Sequence, residues 1–108
     1  MSPTARTVAE CRKRGWPATV VERFTGRVRR DAFGFGDVLV LDGQPGALLI
    51  QCTTGAHVAN RVTKIRTQCA EAAAVWLAAG NRIEVWGWAL QGPAGSRKRW
   101  TLRRVLVD

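Results

Sequence analysis

No apolar run in these 108 residues is long enough to cross a bilayer, so a membrane-spanning helix is not expected. Nor does the start, Met1-Ser2-Pro3-Thr4-Ala5-Arg6, show the charged-then-apolar layout of a secretory signal. A cytoplasmic protein is the expectation. Cysteine is scarce: Cys11, Cys52 and Cys69 are odd in number and far apart, and match neither a zinc pattern nor a CxxC redox pair. Each reads as a small buried hydrophobe in a reducing compartment. Repeats and linkers are missing too, which leaves one domain over residues 1–108, near the common domain size. Acid is in short supply, with 8 Asp and Glu against 17 Lys and Arg. Lysine is rarer still: Lys13, Lys64 and Lys98 are the only three, and fourteen basic residues are arginine.

What is present follows from that imbalance. A formal charge of +9 favours a polyanionic partner, because basic side chains displace condensed counterions from a phosphate backbone. Arginine adds a planar fork that grips phosphate in a way lysine cannot. No amphipathic helix presents one basic face, so nucleic acid is preferred to a membrane surface as the partner. The 46% hydrophobic content is that of a folded domain with a core.

The chain reads as a helix over about Thr4 to Arg14, stopped by Gly15. The β-branched and aromatic run Thr19 to Phe24 reads as a strand, and Gly26 to Arg30 as a basic connection. Phe35 to Leu41 and Ala47 to Thr53 form two strands around the turn Asp42-Gly43-Gln44-Pro45-Gly46. From Ala56 the period becomes helical, with Val58, Val62, Ile65 and Cys69 in one stripe. A further helical stretch, about Ala70 to Ala79, either continues this helix or follows a break near Thr67. Strands over Ile83 to Trp88 and Arg99 to Val107, with a loop at Gly92 to Gly95, complete an α-β-β-β-α-(α)-β-β order. The fold class is α/β.

The densest chemistry lies at Asp37, which stands at the mouth of an apolar strand just after Gly34 and Gly36. A carboxylate there suits a hard divalent cation such as Mg²⁺. Gln51 and Thr53 sit two apart on the neighbouring strand and project from one face, while Cys52 points oppositely. Their cost of burial calls for partners. On the following helix His57, Arg61 and Lys64 form a stripe beside the apolar one, which sets Arg61 and Lys64 near that strand end; His57 reads as a surface histidine. Glu22 adds a carboxylate if its strand pairs nearby. Asp31 either does the same from its loop or neutralises Arg29 and Arg30. Trp86 and Trp88 share one strand face and read as core, with Trp76 and Trp100 expected near them. The basic cluster of Arg97, Lys98, Arg99, Arg103 and Arg104 reads as a phosphate-gripping surface.

With Asp37…Gln51-x-Thr53 and this element order, the chain resembles the PD-(D/E)XK nuclease superfamily, which includes restriction endonucleases and Holliday junction resolvases. More narrowly, it is similar to a group of small bacterial and phage proteins. The segments that carry this are Val21-Glu22-Arg23-Phe24, Arg30 to Asp37, Gln51-Cys52-Thr53, Arg61-Val62-Thr63-Lys64 and Trp76 to Trp88. The resemblance implies a restriction endonuclease-like α-β-β-β-α-β core, a mixed sheet flanked by helices. It makes Asp37 the metal-binding acid, puts Gln51 in the place of the second acid and Thr53 in the place of the lysine. Because Gln51 brings no charge and Thr53 no cation, a working site would take Mg²⁺ (or Mn²⁺) on Glu22, Asp37 and Gln51, with Lys64 restoring the positive charge from the helix. Arg29, Arg30, Arg61, Arg97, Lys98 and Arg99 then become the DNA-contacting residues. The function implied is metal-dependent hydrolysis of DNA phosphodiesters, with structure-selective cutting and a homodimer acting on two strands as options. The alternative is a nuclease-fold module that has lost catalysis and binds DNA or a protein. A small basic RNA-binding protein is a third reading, tenable only if the helix after Ala56 does not pack on the Asp37 sheet.

Overall fold

In the computed structural model, which describes all of residues 1–108, helix α1 runs from Pro3 to Lys13. Ser2 caps it by accepting a hydrogen bond from the Ala5 amide at 3.1 Å. Strands β1 (Ala18–Val20), β2 (Arg23–Thr25), β3 (Val28–Arg30), β4 (Val38–Val40) and β5 (Leu48–Thr54) follow. After one 3₁₀ turn come helices α2 (Val58–Thr67) and α3 (Ala70–Ala78), then strands β6 (Arg82–Gln91) and β7 (Arg99–Val107). No helix is long and apolar enough to cross a membrane.

Five strands make one mixed sheet in the order β1-β4-β5-β6-β7. Only β5 and β6 are parallel, with Leu48 beside Arg82 and Thr54 beside Trp88. A parallel pair needs a long crossover, and α2 with α3 supplies it. Side-chain alternation along β5 sorts the two faces. Leu48 and Ile50 pack with Val38, Val40, Trp86 and Cys11 of α1, while Leu49 packs with Val85, Ile83 and Val58 and Ile65 of α2. Helix α1 therefore covers one face of the sheet and α2 with α3 the other. The chain is α/β, with a mixed five-stranded sheet and three helices.

The structure departs from the sequence expectations in several places, and the strand expected over Phe35 to Leu41 is the shorter β4, Val38–Val40. The strand expected over Thr19 to Phe24 is two strands, because Val21 and Glu22 leave the ladder between β1 and β2. The expected basic connection, Gly26 to Arg30, instead contains β3, which pairs with β2 as a separate two-stranded ribbon. Trp76 lies in the α2/α3 layer, across the sheet from Trp86 and Trp88, and donates its indole N–H to the Arg82 carbonyl at 2.8 Å. Trp100 is about half exposed and stacks under the Arg6 guanidinium, 3.6 Å from the ring centre. The choice left open after Thr67 resolves as a break: Cys69 takes φ −109° and ψ 15°, outside the helical range, and α3 starts afresh.

Candidate metal centre

Two nested backbone registers assemble the acids. In the ribbon Arg23 pairs with Arg30, so the next residues inward are Glu22 and Asp31. Just beyond, Ala32 and Gly36 exchange backbone hydrogen bonds of 2.8 and 2.7 Å, which sets Asp31 across from Asp37. The loop between them turns on Phe33 and Gly34, both at positive φ (56° and 84°), the sign pattern of a type I′ turn. Gly36 has a different task. A Cβ there would stand 2.6 to 2.8 Å from the Leu49 side chain, so its bareness lets this loop lie flat on β5. As a result one carboxylate oxygen from each of Glu22, Asp31 and Asp37 lies within 4.8 Å of the other two. Three carboxylates this close could hold a metal ion.

Asp37 is the best anchored of the three. Its amide donates to the Ile50 carbonyl and its carbonyl accepts from the Val21 amide, both at 2.9 Å, which ties β1, β4 and β5 together at one residue. Its side chain is 3% exposed. Oδ2 accepts from the Cys52 amide at 2.8 Å and from Gln51 Nε2 at 2.9 Å. Burial pushes the Asp37 carboxyl up to about 8, a hydrogen bond shared with Asp31 pushes it the same way, and the Cys52 amide opposes them. Without a cation Asp37 is therefore driven toward its protonated form at neutral pH. The Cys52 thiol on the opposite face is pushed far up by burial and is no nucleophile.

Gln51 and Thr53 are both buried on the face that α2 covers, with Leu49 between them and the strand start. Gln51 turns its amide nitrogen toward the acids, 2.9 Å from Asp37 and 3.3 Å from Asp31, while its Oε1 is buried without a partner. A half-turn of the amide would exchange the two atoms and point the carbonyl oxygen at the carboxylates. Thr53 takes no part in these bonds. Lys64 reaches in from α2, with Nζ 4.0 Å from Asp31 Oδ2, and Arg29 Nε stands 3.8 Å from Glu22 Oε2. A cleft of about 520 Å³ opens beside the acids, lined by Val28, Arg29, Arg30, Asp31, Gly34 and Lys64.

The remaining expected residues are dispersed. Arg61 is half-buried one turn before Lys64, with its Nε enclosed and unpaired. Arg97, Lys98 and Arg99 are exposed at the turn between β6 and β7, which overhangs the Thr54 end of β5. Arg104 is not free for phosphate: its guanidinium holds Glu84 at 2.8 and 3.0 Å, and Glu84 also accepts from the Trp86 indole. His57 is exposed. Helix α2 packs on the sheet through Val58 and Ile65, which removes the condition for the RNA-binding reading.

Asp31 is the residue that the implied ligand set of Glu22, Asp37 and Gln51 left out. Its signal was the spacing Asp31-x₅-Asp37 around Gly34, since a tight turn on a central glycine returns the chain to face itself. A second cleft, of about 510 Å³ behind Phe33 and Trp76, is mainly apolar and has Glu71 as its one charged residue. The donor set at the first site fits a hard divalent cation: three carboxylates, and a Gln51 carbonyl oxygen that a half-turn of its amide would bring to them. No protein-family model matches the chain, and no curated protein or solved structure matches it.

Proposed function

We propose that this chain is a PD-(D/E)XK-type, metal-dependent DNA endonuclease. The observation that carries the reading is the convergence of Glu22, Asp31 and Asp37, with Lys64 at their edge, beside a cleft lined with arginine. The element order supports it. Leaving out the ribbon and α3, the chain runs α1, β1, β4, β5, α2, β6, the α-β-β-β-α-β order that the resemblance implies.

Glu22, Asp31 and Asp37 would hold Mg²⁺ or Mn²⁺, with the Gln51 carbonyl available after its amide turns. When bound, the cation neutralises a phosphodiester and lowers the pKa of a water. The chain's own residues do the rest. Asp37, fixed by three strands, sets the position of the site. Lys64 keeps a positive charge at the cleft edge, where a phosphate gains negative charge during attack. Arg29 and Arg30 line the same cleft and bind flanking phosphates, with Arg61, Arg97, Lys98 and Arg99 extending the basic surface.

The test is incubation of the protein with duplex, single-stranded and branched DNA, with and without Mg²⁺ or Mn²⁺. Wild type is expected to cut only with metal, and Asp37→Ala to abolish cutting. Metal-dependent cutting that survives unchanged in Asp37→Ala refutes the assignment. A second reading, a nuclease fold that binds DNA or protein without cutting, draws on Gln51 and Thr53, which bring neither a second acid nor a lysine to β5. Binding without cutting under all metals selects it.

A further inference from the structure

The β2–β3 ribbon belongs to neither core. Every residue from Arg23 to Arg30 is exposed, four of the eight are arginine, and none is acidic. The ribbon has no strand-to-strand pairing with the main sheet. A lone two-stranded hairpin is marginal in water. This one also sets Arg23 directly opposite Arg30, and like charges across a ladder work against pairing. Phe24, 70% exposed, stands opposite Arg29. The segment's own charges thus oppose its fold, and a polyanion would supply what it lacks. Yet the same register holds Glu22 against Asp31, and Arg29 reaches back to Glu22.

We propose that the ribbon is at once the grip on duplex DNA and the clamp that completes the carboxylate site, so that DNA and a divalent cation bind with positive coupling. The partner and the cation rest on the nuclease reading. Phosphates of the duplex neutralise Arg23, Arg27 and Arg30 and remove the repulsion across the ribbon. Strands of this length span about 10 Å, within reach of a major groove roughly 12 Å wide. Once the register tightens, Glu22 is held over Asp31. A cation that takes the Glu22 carboxylate in turn frees Arg29 for a phosphate. By linkage, the factor that the cation adds to DNA affinity is the factor that DNA adds to cation affinity.

Fluorescence anisotropy of a short labelled duplex tests this, in EDTA and in Ca²⁺, across a range of salt. Three proteins are compared: wild type, Arg23→Gln/Arg27→Gln/Arg30→Gln, and Asp37→Asn. Wild type is expected to bind, and to bind about 5-fold or more tightly with Ca²⁺. Each lost phosphate contact should flatten the log–log salt dependence by ~0.9, so the triple variant loses roughly 2 to 3 of slope along with most of the Ca²⁺ gain. Asp37→Asn keeps the slope and loses the gain. A thermal melt confirms that the triple variant, altered only at exposed positions, is folded. The proposal is overturned if wild type does not bind the duplex, or if the triple variant keeps either the wild-type slope or the full Ca²⁺ gain. Ribbon-dependent, Ca²⁺-tightened binding without any cutting refutes the catalytic reading alone. Cutting with ribbon-independent binding refutes the ribbon alone.

Discussion

Replacing Asp37 with asparagine should make the metal-free protein more stable at neutral pH while destroying its site. Asp37 is 3% exposed and its carboxyl is pushed from 3.8 up to about 8, first by burial and then by Asp31. In the unfolded chain it titrates near the ordinary value of about 4. Below about pH 4 both states hold the proton. Between there and about 8 the folded state keeps a proton that the unfolded chain has given up, so stability falls as pH rises. The slope is ~1.4 kcal/mol per pH unit, which comes to ~2.7 kcal/mol between about pH 5 and about pH 7. Asparagine carries no charge to bury, and its Oδ1 can still accept from the Cys52 amide. Urea denaturation in EDTA at the two pH values should show wild type losing ~2–3 kcal/mol relative to Asp37→Asn. Excess Mg²⁺ should return that stability to wild type at neutral pH, because a cation bound only to the folded state adds to it, and should do little for the variant. A stability difference that does not change with pH in EDTA would refute the reasoning.

Gly36→Ala should cost ~1–3 kcal/mol and also lower cutting, since its Cβ would meet Leu49 at 2.6 Å and push the Asp37 loop off β5; urea midpoints and cleavage rates check both halves. Lys64→Gln should slow cutting about 100-fold and leave stability within ~0.5 kcal/mol, measured by single-turnover kinetics and a thermal melt. Glu84→Gln should destabilise by ~1–3 kcal/mol through its bonds to Arg104 and Trp86, yet leave cutting unchanged, because Glu84 points to the α1 face of the sheet.

Much of this architecture was legible in short windows of sequence. The 3.6-residue stripe of Val58, Val62 and Ile65 foretold the face that α2 lays on the sheet, and the two-residue alternation of Leu49, Gln51 and Thr53 foretold which side chains it would cover. Lys64, three residues after Arg61, stands with its Nζ 4.0 Å from Asp31 Oδ2. What local pattern does not carry is register. Asp31 joins Glu22 and Asp37 only because two hairpins are paired where they are, and a shift of one residue in either would separate the acids. The ribbon itself, Arg23-Phe24-Thr25-Gly26-Arg27-Val28-Arg29-Arg30, has no buried face and so no hydrophobic alternation to announce it. Trp76 was misplaced for a related reason: indole rings are read equally well as partners in any layer of the core.

The sheet's outer boundaries have a consequence for self-association. Strand β1 is three residues long, while β7 runs nine residues with Arg103 at its centre and its far side unpaired. Two copies laid antiparallel about the middle of β7 would set Arg103 against its own twin. Such a seam repels itself. Continuous growth of the sheet from one molecule to the next is therefore blocked at its longer border by charge and at its shorter border by lack of length. If the proposed nuclease acts as a pair on two DNA strands, its copies would have to meet through helices or through the DNA they share.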